Sequence, residues 1–134
     1  MVGVLLFATV AFLQQGWAQD SIRVMQYNLL RYGAAGIGCT PTGVTARNTW
    51  ISGILNLARP DIFGVNEIGP AAGPTSPSHN LLANILQPIN PAYRAATITF
   101  NGFQDVTNMM YYNSDKLGLA QEAVVPEPTL DLRD

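Results

Sequence analysis

A helical period that runs into a proline, with an apolar strand directly behind it, constrains this chain more than any other feature. Trp50, Ile51, Ile54, Leu55 and Ala58 recur at the spacing of one helix face. Thr45 is a suitable N-cap, and Pro60 ends the helix because the residue before a proline avoids the helical region. The spacing therefore predicts a helix over residues 45–58. Ile62-Phe63-Gly64-Val65-Asn66-Glu67 follows as a short apolar strand, and Ile22-Arg23-Val24-Met25-Gln26-Tyr27-Asn28 precedes it as a strand rich in β-branched and aromatic residues. Strand, helix and strand make a βαβ unit, whose crossover joins parallel strands with a right-handed connection.

The rest of the chain is punctuated by glycine and proline. Residues 33–43 and 69–77 read as loops. Ser78 is the expected cap of a second helix through Leu81, Leu82, Ile85 and Leu86, closed by Pro88 and Pro91. Three more strands are expected, over 93–100, 107–112 and 117–125, with Asn101-Gly102 as a hairpin turn.

Composition narrows the class. The chain has 134 residues, of which 48% are hydrophobic, so it can build one packed domain. Its net charge of -2 excludes a nucleic-acid binder held by bulk positive charge, since non-specific affinity rests on Lys and Arg against phosphates. It does not exclude an enzyme that grips one phosphate through a metal. Cys39 is the one cysteine, so no internal disulfide forms and no zinc spacing is present. The apolar run from Val2 to Leu13, with small residues at Gly16 and Ala18, reads as a signal peptide over residues 1–18, although no Lys or Arg precedes it. It is too short for a stable membrane span, which takes about 20 apolar residues. The mature chain is thus expected from Gln19, secreted or periplasmic.

Two polar residues stand out by position. Asn28 ends the first strand and Glu67 the second. Side chains at the carboxyl ends of parallel neighbours meet at one sheet edge, where ligands of α/β sheets gather. A carboxylate there is a hard ligand for Mg²⁺ or Ca²⁺, and an amide beside it orients that carboxylate or donates to a phosphate oxygen. Each residue also has an ordinary reading, as a turn Asn and a solvated loop acid. His79, Asp105 and Asp115 read as solvated, Tyr111-Tyr112 as packing residues, and the glycines at 33, 36 and 38 as a loop without a dinucleotide fingerprint.

"IRVMQYN" at 22–28, a helix, "RPDIFGVNEI" at 59–68 and "MMYYNSDKLGL" at 109–119 together resemble the endonuclease/exonuclease/phosphatase superfamily, which includes deoxyribonuclease I. The resemblance spans residues 22–125. It implies an α/β (α+β) fold, a four-layered α/β sandwich of the deoxyribonuclease I-like kind opening with the βαβ unit. It implies a divalent-metal phosphoesterase, with Mg²⁺ the first expectation and Mn²⁺ or Ca²⁺ alternatives. Glu67 and Asn28 fall on the metal-site and catalytic positions. The implied substrate is a phosphate ester of a nucleic acid, lipid or inositol phosphate. The pattern departs at Asn66, where the family carries Gln, and the family's central His, its Asp-x-Asn pair and its closing Asp-His pair have no match here. The expectation is an N-terminal part of the domain over 19–134, inactive without its C-terminal half. The rival expectation is a non-catalytic exported binding module on the same fold.

Overall fold

Parallel pairing of two strands across one helix organises the molecule. The structure, a computed structural model, describes residues 20–34, 41–71, 73–97 and 106–122. Residues 1–18, where a signal peptide is expected, Cys39, Asp105 and the expected Asn101-Gly102 turn lie outside the described residues. In chain order the elements are β1 (Val24–Tyr32), α1 (Pro41–Ala58), β2 (Ile62–Ile68), α2 (Pro77–Leu81), a π-helical turn (Leu82–Leu86), α3 (Gln87–Ile89), β3 (Tyr93–Ala95) and β4 (Thr107–Asn113). They form a mixed α/β architecture around one four-stranded sheet of order β1-β2-β4-β3. β1 and β2 are parallel neighbours, with Val24 opposite Ile62 and Asn28 opposite Asn66. β4 lies antiparallel between β2 and β3.

The core fills one face of this sheet. Phe63 and Val65 of β2 and Met109 and Tyr111 of β4 are buried there, with the rings of Phe63 and Tyr111 stacked at 6.1 Å and 27°. Ile51 and Leu55 of α1 and Leu81, Ile85 and Leu86 of the second helical run close over them. Burying a side chain such as Leu55 or Phe63 contributes roughly 2 to 3 kcal/mol. The buried stripe of α1 is narrower than its periodicity suggests. Ile51 and Leu55, four apart, face the core, while Trp50 and Ile54 are exposed. Among the described residues no helix covers the opposite sheet face, and Val24 (68% exposed) and Met110 (37%) lie open on it. Among the described residues there are thus two layers, helices and sheet. No described helix is long and apolar enough to cross a membrane.

Several expectations are corrected. β1 runs on past Asn28 to Tyr32. α1 begins at Pro41 and not at a Thr45 cap, which agrees with the ease of proline in a first helical turn. The cap of α2 is Ser76, whose hydroxyl accepts from the His79 N–H at 3.1 Å, with Pro77 in the first turn; Ser78 is inside the helix and buried. Pro88 does not close the second helical run. The Gln87 N–H already reaches back five residues to the Leu82 carbonyl, so the ladder has changed step before a residue without an N–H enters. β3 is a strand only to Ala95 within the described residues. Residues 117–122 form no strand, and the Glu122 carboxylate accepts from the Thr97 N–H at 2.8 Å; residues 123–125 of that expected strand lie outside the described residues.

Candidate functional site

The carboxyl ends of β1 and β2 are irregular in matched ways. In a regular strand alternate residues share a face. Here Leu29 and Tyr32 are both buried although three apart, and so are Val65 and Ile68. The pairing offset changes between Asn28–Asn66 and Tyr32–Ile68, so β1 carries two more residues than β2 over that stretch. Leu30 (φ 43°), Arg31 (φ 60°) and Glu67 (φ 55°) take left-handed conformations to achieve this. Such conformations disfavour side chains with a Cβ by about 1 kcal/mol or more each, and bulges of this kind gather beside functional sites.

These bulges decide where Asn28 and Glu67 go. The left-handed turn at Glu67 releases its side chain from the core side of β2, and the strand resumes with Ile68 buried. The carboxylate then meets β1: Asn28 Nδ2 donates to Glu67 Oε1 at 2.9 Å. The other end of the same amide, Asn28 Oδ1, accepts from the Leu30 N–H at 2.7 Å. Both ends of the amide are used, so its orientation is fixed by the bulge and in turn fixes the carboxylate. Asn28 is exposed and Glu67 half-buried, so the pair faces solvent on the rim of the sheet.

Supports stand behind the rim. Arg47 of α1 donates to the Leu29 and Leu30 carbonyls and lies 5.6 Å from the centre of the Tyr32 ring. The Tyr32 hydroxyl donates to Asn48 and accepts from Asn80 at 2.6 Å. Burial pushes that phenol up to about 12, against the lowering pull of Asn80 and Arg47, so it stays neutral. The two following loops meet backbone to backbone: a Cβ on Gly69 would come within 2.7 Å of the Gly33 carbonyl oxygen, which leaves room for glycine alone. The Gly69 N–H donates to the Tyr32 carbonyl at 2.8 Å across the same gap.

The structure brings Asn28 and Glu67 together and keeps the other sequence candidates away from them. His79 is exposed on α2, and Asp115 is exposed in the turn after β4. Asn66 points to the open sheet face, where it accepts from Gln26 and donates to Asn108 at 2.9 Å. That amide row across β1, β2 and β4 was not anticipated. Period-two alternation places Gln26 on the face of Asn28, but the partner Asn108 depends on which strand flanks β2, and that is a matter of topology.

As a donor set the rim offers one carboxylate whose second oxygen, Oε2, is not engaged by any described residue. No group of three His, Cys, Asp or Glu that could enclose a metal exists among the described residues. A single carboxylate suits Mg²⁺, which retains several waters and is commonly held by one or two carboxylates together with substrate phosphate. Comparison with family models, with curated proteins and with solved structures returns no match for this chain.

Proposed function

We propose that this chain is part of an exported, divalent-metal-dependent phosphoesterase of the endonuclease/exonuclease/phosphatase type, acting on a phosphate ester of a nucleic acid, lipid or inositol phosphate. The observation that carries this reading is the Asn28–Glu67 pair at 2.9 Å on the carboxyl ends of two parallel neighbours, built on three left-handed residues. The same left-handed residues return Tyr32 and Ile68 to the core and set Asn28 and Glu67 on an exposed rim, and backbone strain beside an exposed polar pair supports a site there. The open sheet face supports the fold part of the proposal, since a second sheet of a four-layered sandwich would pack there.

In this reading Glu67 is the metal ligand through its unengaged oxygen. Asn28 holds that carboxylate in one orientation and presents no further charge to the phosphate. The bound metal, with Mg²⁺ the first choice and Mn²⁺ or Ca²⁺ alternatives, would stabilise negative charge developing on the phosphate and the leaving oxygen. Proton transfer would fall to groups other than Asn28 and Glu67, because an amide cannot take a proton at neutral pH and a metal-bound carboxylate is a poor base.

The test is Glu67→Gln in the full-length gene product, assayed for Mg²⁺-dependent hydrolysis of a phosphodiester and a phosphomonoester. The substitution keeps the shape and removes the charge, so activity should fall at least about a hundredfold with the fold intact. Unchanged hydrolysis at millimolar Mg²⁺ would end the case for a metal at Glu67. Absence of hydrolysis in the parent protein under all these conditions would favour a non-catalytic binding module.

A further inference from the structure

The opposite end of the β1–β2 pair holds a concentration of positive charge that no part of the phosphoesterase reading uses. A cavity of about 300 Å³ opens there, lined by Arg23, Arg59, Lys116, Asp61, Asn90 and Asn113 together with Ile89 and Tyr93. The chain carries seven Lys and Arg residues in all, and three of them line this one cavity. With Asp61 as its one carboxylate the pocket has a net charge of about +2 by ordinary ionisation, in a chain whose total is -2.

Structural duties account for only part of this charge. The Asp61 carboxylate accepts from the Arg23 backbone N–H at 2.9 Å and from Lys116 Nζ at 3.3 Å. Arg23 Nη1 donates to the Ala58 carbonyl at 3.1 Å and Arg59 Nε to the Asn56 carbonyl at 3.2 Å, as basic residues at a helix C-terminus commonly do. Each task occupies one N–H direction. Among the described residues, both terminal nitrogens of Arg59, Nη2 of Arg23 and two of the three Lys116 protons have no acceptor. Asp61 is 2% exposed on the cavity wall, with its Oδ2 already accepting two bonds, so its charge is largely offset there.

Guanidinium groups match tetrahedral oxyanions by pairs of parallel N–H donors, and an ammonium adds a point charge. We infer that this cavity is a binding site for a small tetrahedral dianion of the size of inorganic phosphate, held by Arg59, Arg23 and Lys116 with Asn90 Nδ2 on its wall. Asn90 Oδ1 accepts from the Ala92 N–H at 2.9 Å, which anchors the amide, and its Nδ2 makes only a long 3.4 Å bond to Asn113 Oδ1, so the donor end has capacity left for the anion. This site lies at the amino ends of β1 and β2, away from Asn28 and Glu67, and does not depend on the metal proposal.

Hydrogen exchange by mass spectrometry on the micromolar chain, titrated with inorganic phosphate against sodium chloride of equal ionic strength, tests it. Phosphate strengthens folding generally, so the pattern decides the matter and not the size. Added protection should concentrate at residues 23–24, 59–62 and 113–117 and saturate in the millimolar range. Arg59→Gln removes an exposed side chain with one backbone bond, and should weaken the phosphate dependence about tenfold while leaving the chloride pattern unchanged. Protection spread evenly over all strands, or an Arg59→Gln chain with the parent's phosphate affinity, would overturn the assignment.

Discussion

The two ends of the β1–β2 pair are built to opposite rules. At the amino end, Asp61 is buried and its carboxylate ties the Arg23 backbone to Lys116, while its own carbonyl accepts from the Asn113 N–H at 2.9 Å. Its backbone N–H, its carbonyl and its carboxylate Oδ2 all join the segments of β1, β2 and β4. At the carboxyl end, Glu67 is half-buried in a left-handed conformation, touches one amide and leaves an oxygen open. Two acids six residues apart, one just before β2 and one near its end, therefore serve different ends, and the difference lies in burial and in how many segments each one joins. Within the "PD…E" pattern the acid beside proline is a joint, and the one at the far end is available for chemistry.

The sharpest break in this comparison is in stability. Asp61→Ala leaves a part-buried backbone N–H and the Lys116 ammonium without their acceptor, and should destabilise the chain by about 1 to 3 kcal/mol. Glu67→Ala should change stability by about 0.5 kcal/mol or less, as at most exposed positions. Denaturant melts of both variants test this, and an equal loss in the two would erase the contrast.

Acid titration sharpens it further. The Arg23 N–H, chiefly, and Lys116 hold the Asp61 carboxyl below its ordinary value of 3.8, with burial pulling the other way. A depressed native pKa means that the unfolded chain binds the proton first as pH falls. The stabilisation is therefore complete above the ordinary carboxylate value, and drains away as pH drops through it toward the native pKa. Melts in parent and Asp61→Asn chains should converge below about pH 3 and diverge above about pH 4. A constant gap between the two across that range would show that the carboxylate's charge does not matter.

A smaller effect is expected at Asn28. Asn28→Ala removes the group that orients Glu67 but leaves the ligand, so Mg²⁺-dependent hydrolysis should fall roughly tenfold, less than in Glu67→Gln. The apparent Mg²⁺ requirement should rise with it, which a merely structural loss would not cause. The smallest change concerns the bulge. Leu30 is 69% exposed at φ 43°, so Leu30→Gly relieves an unfavourable backbone without losing a packed side chain. Stability should be unchanged or higher by about 0.5 to 1 kcal/mol. A marked loss of stability would mean that the leucine is held by contacts that outweigh its strain.

What was legible in the sequence follows the same division. The helix stop at Pro60, the two flanking strands and the meeting of their carboxyl ends could be read because periodicity and proline report local geometry directly. Glycine is the usual sign of a left-handed residue, and the bulges use Leu30, Arg31 and Glu67 instead, so nothing in the local sequence announced them. The π-helical turn at 82–86 was equally silent, since its apolar pattern differs from an ordinary helix by a single step. Ser76 lost to Ser78 as the expected cap because the two are separated only by Pro77, and both could start a helix. Residues 117–122 lie off the sheet with the Glu122 carboxylate on the Thr97 N–H, a contact across 25 residues that no window of local sequence contains.

The bulge in β1 has a further effect, on crowding between molecules. Among the described residues β1 is an edge strand of nine residues, long enough to recruit a stray strand from another chain. A flat ladder is needed for such recruitment, and the left-handed pair at Leu30 and Arg31 breaks it after Asn28. The other edge, β3, offers three residues. Among the described residues, both borders of the sheet are therefore poor templates for fibre growth. The distortion that turns Asn28 toward Glu67 is thus also a guard against aggregation, and straightening it would expose the protein to a hazard unrelated to catalysis.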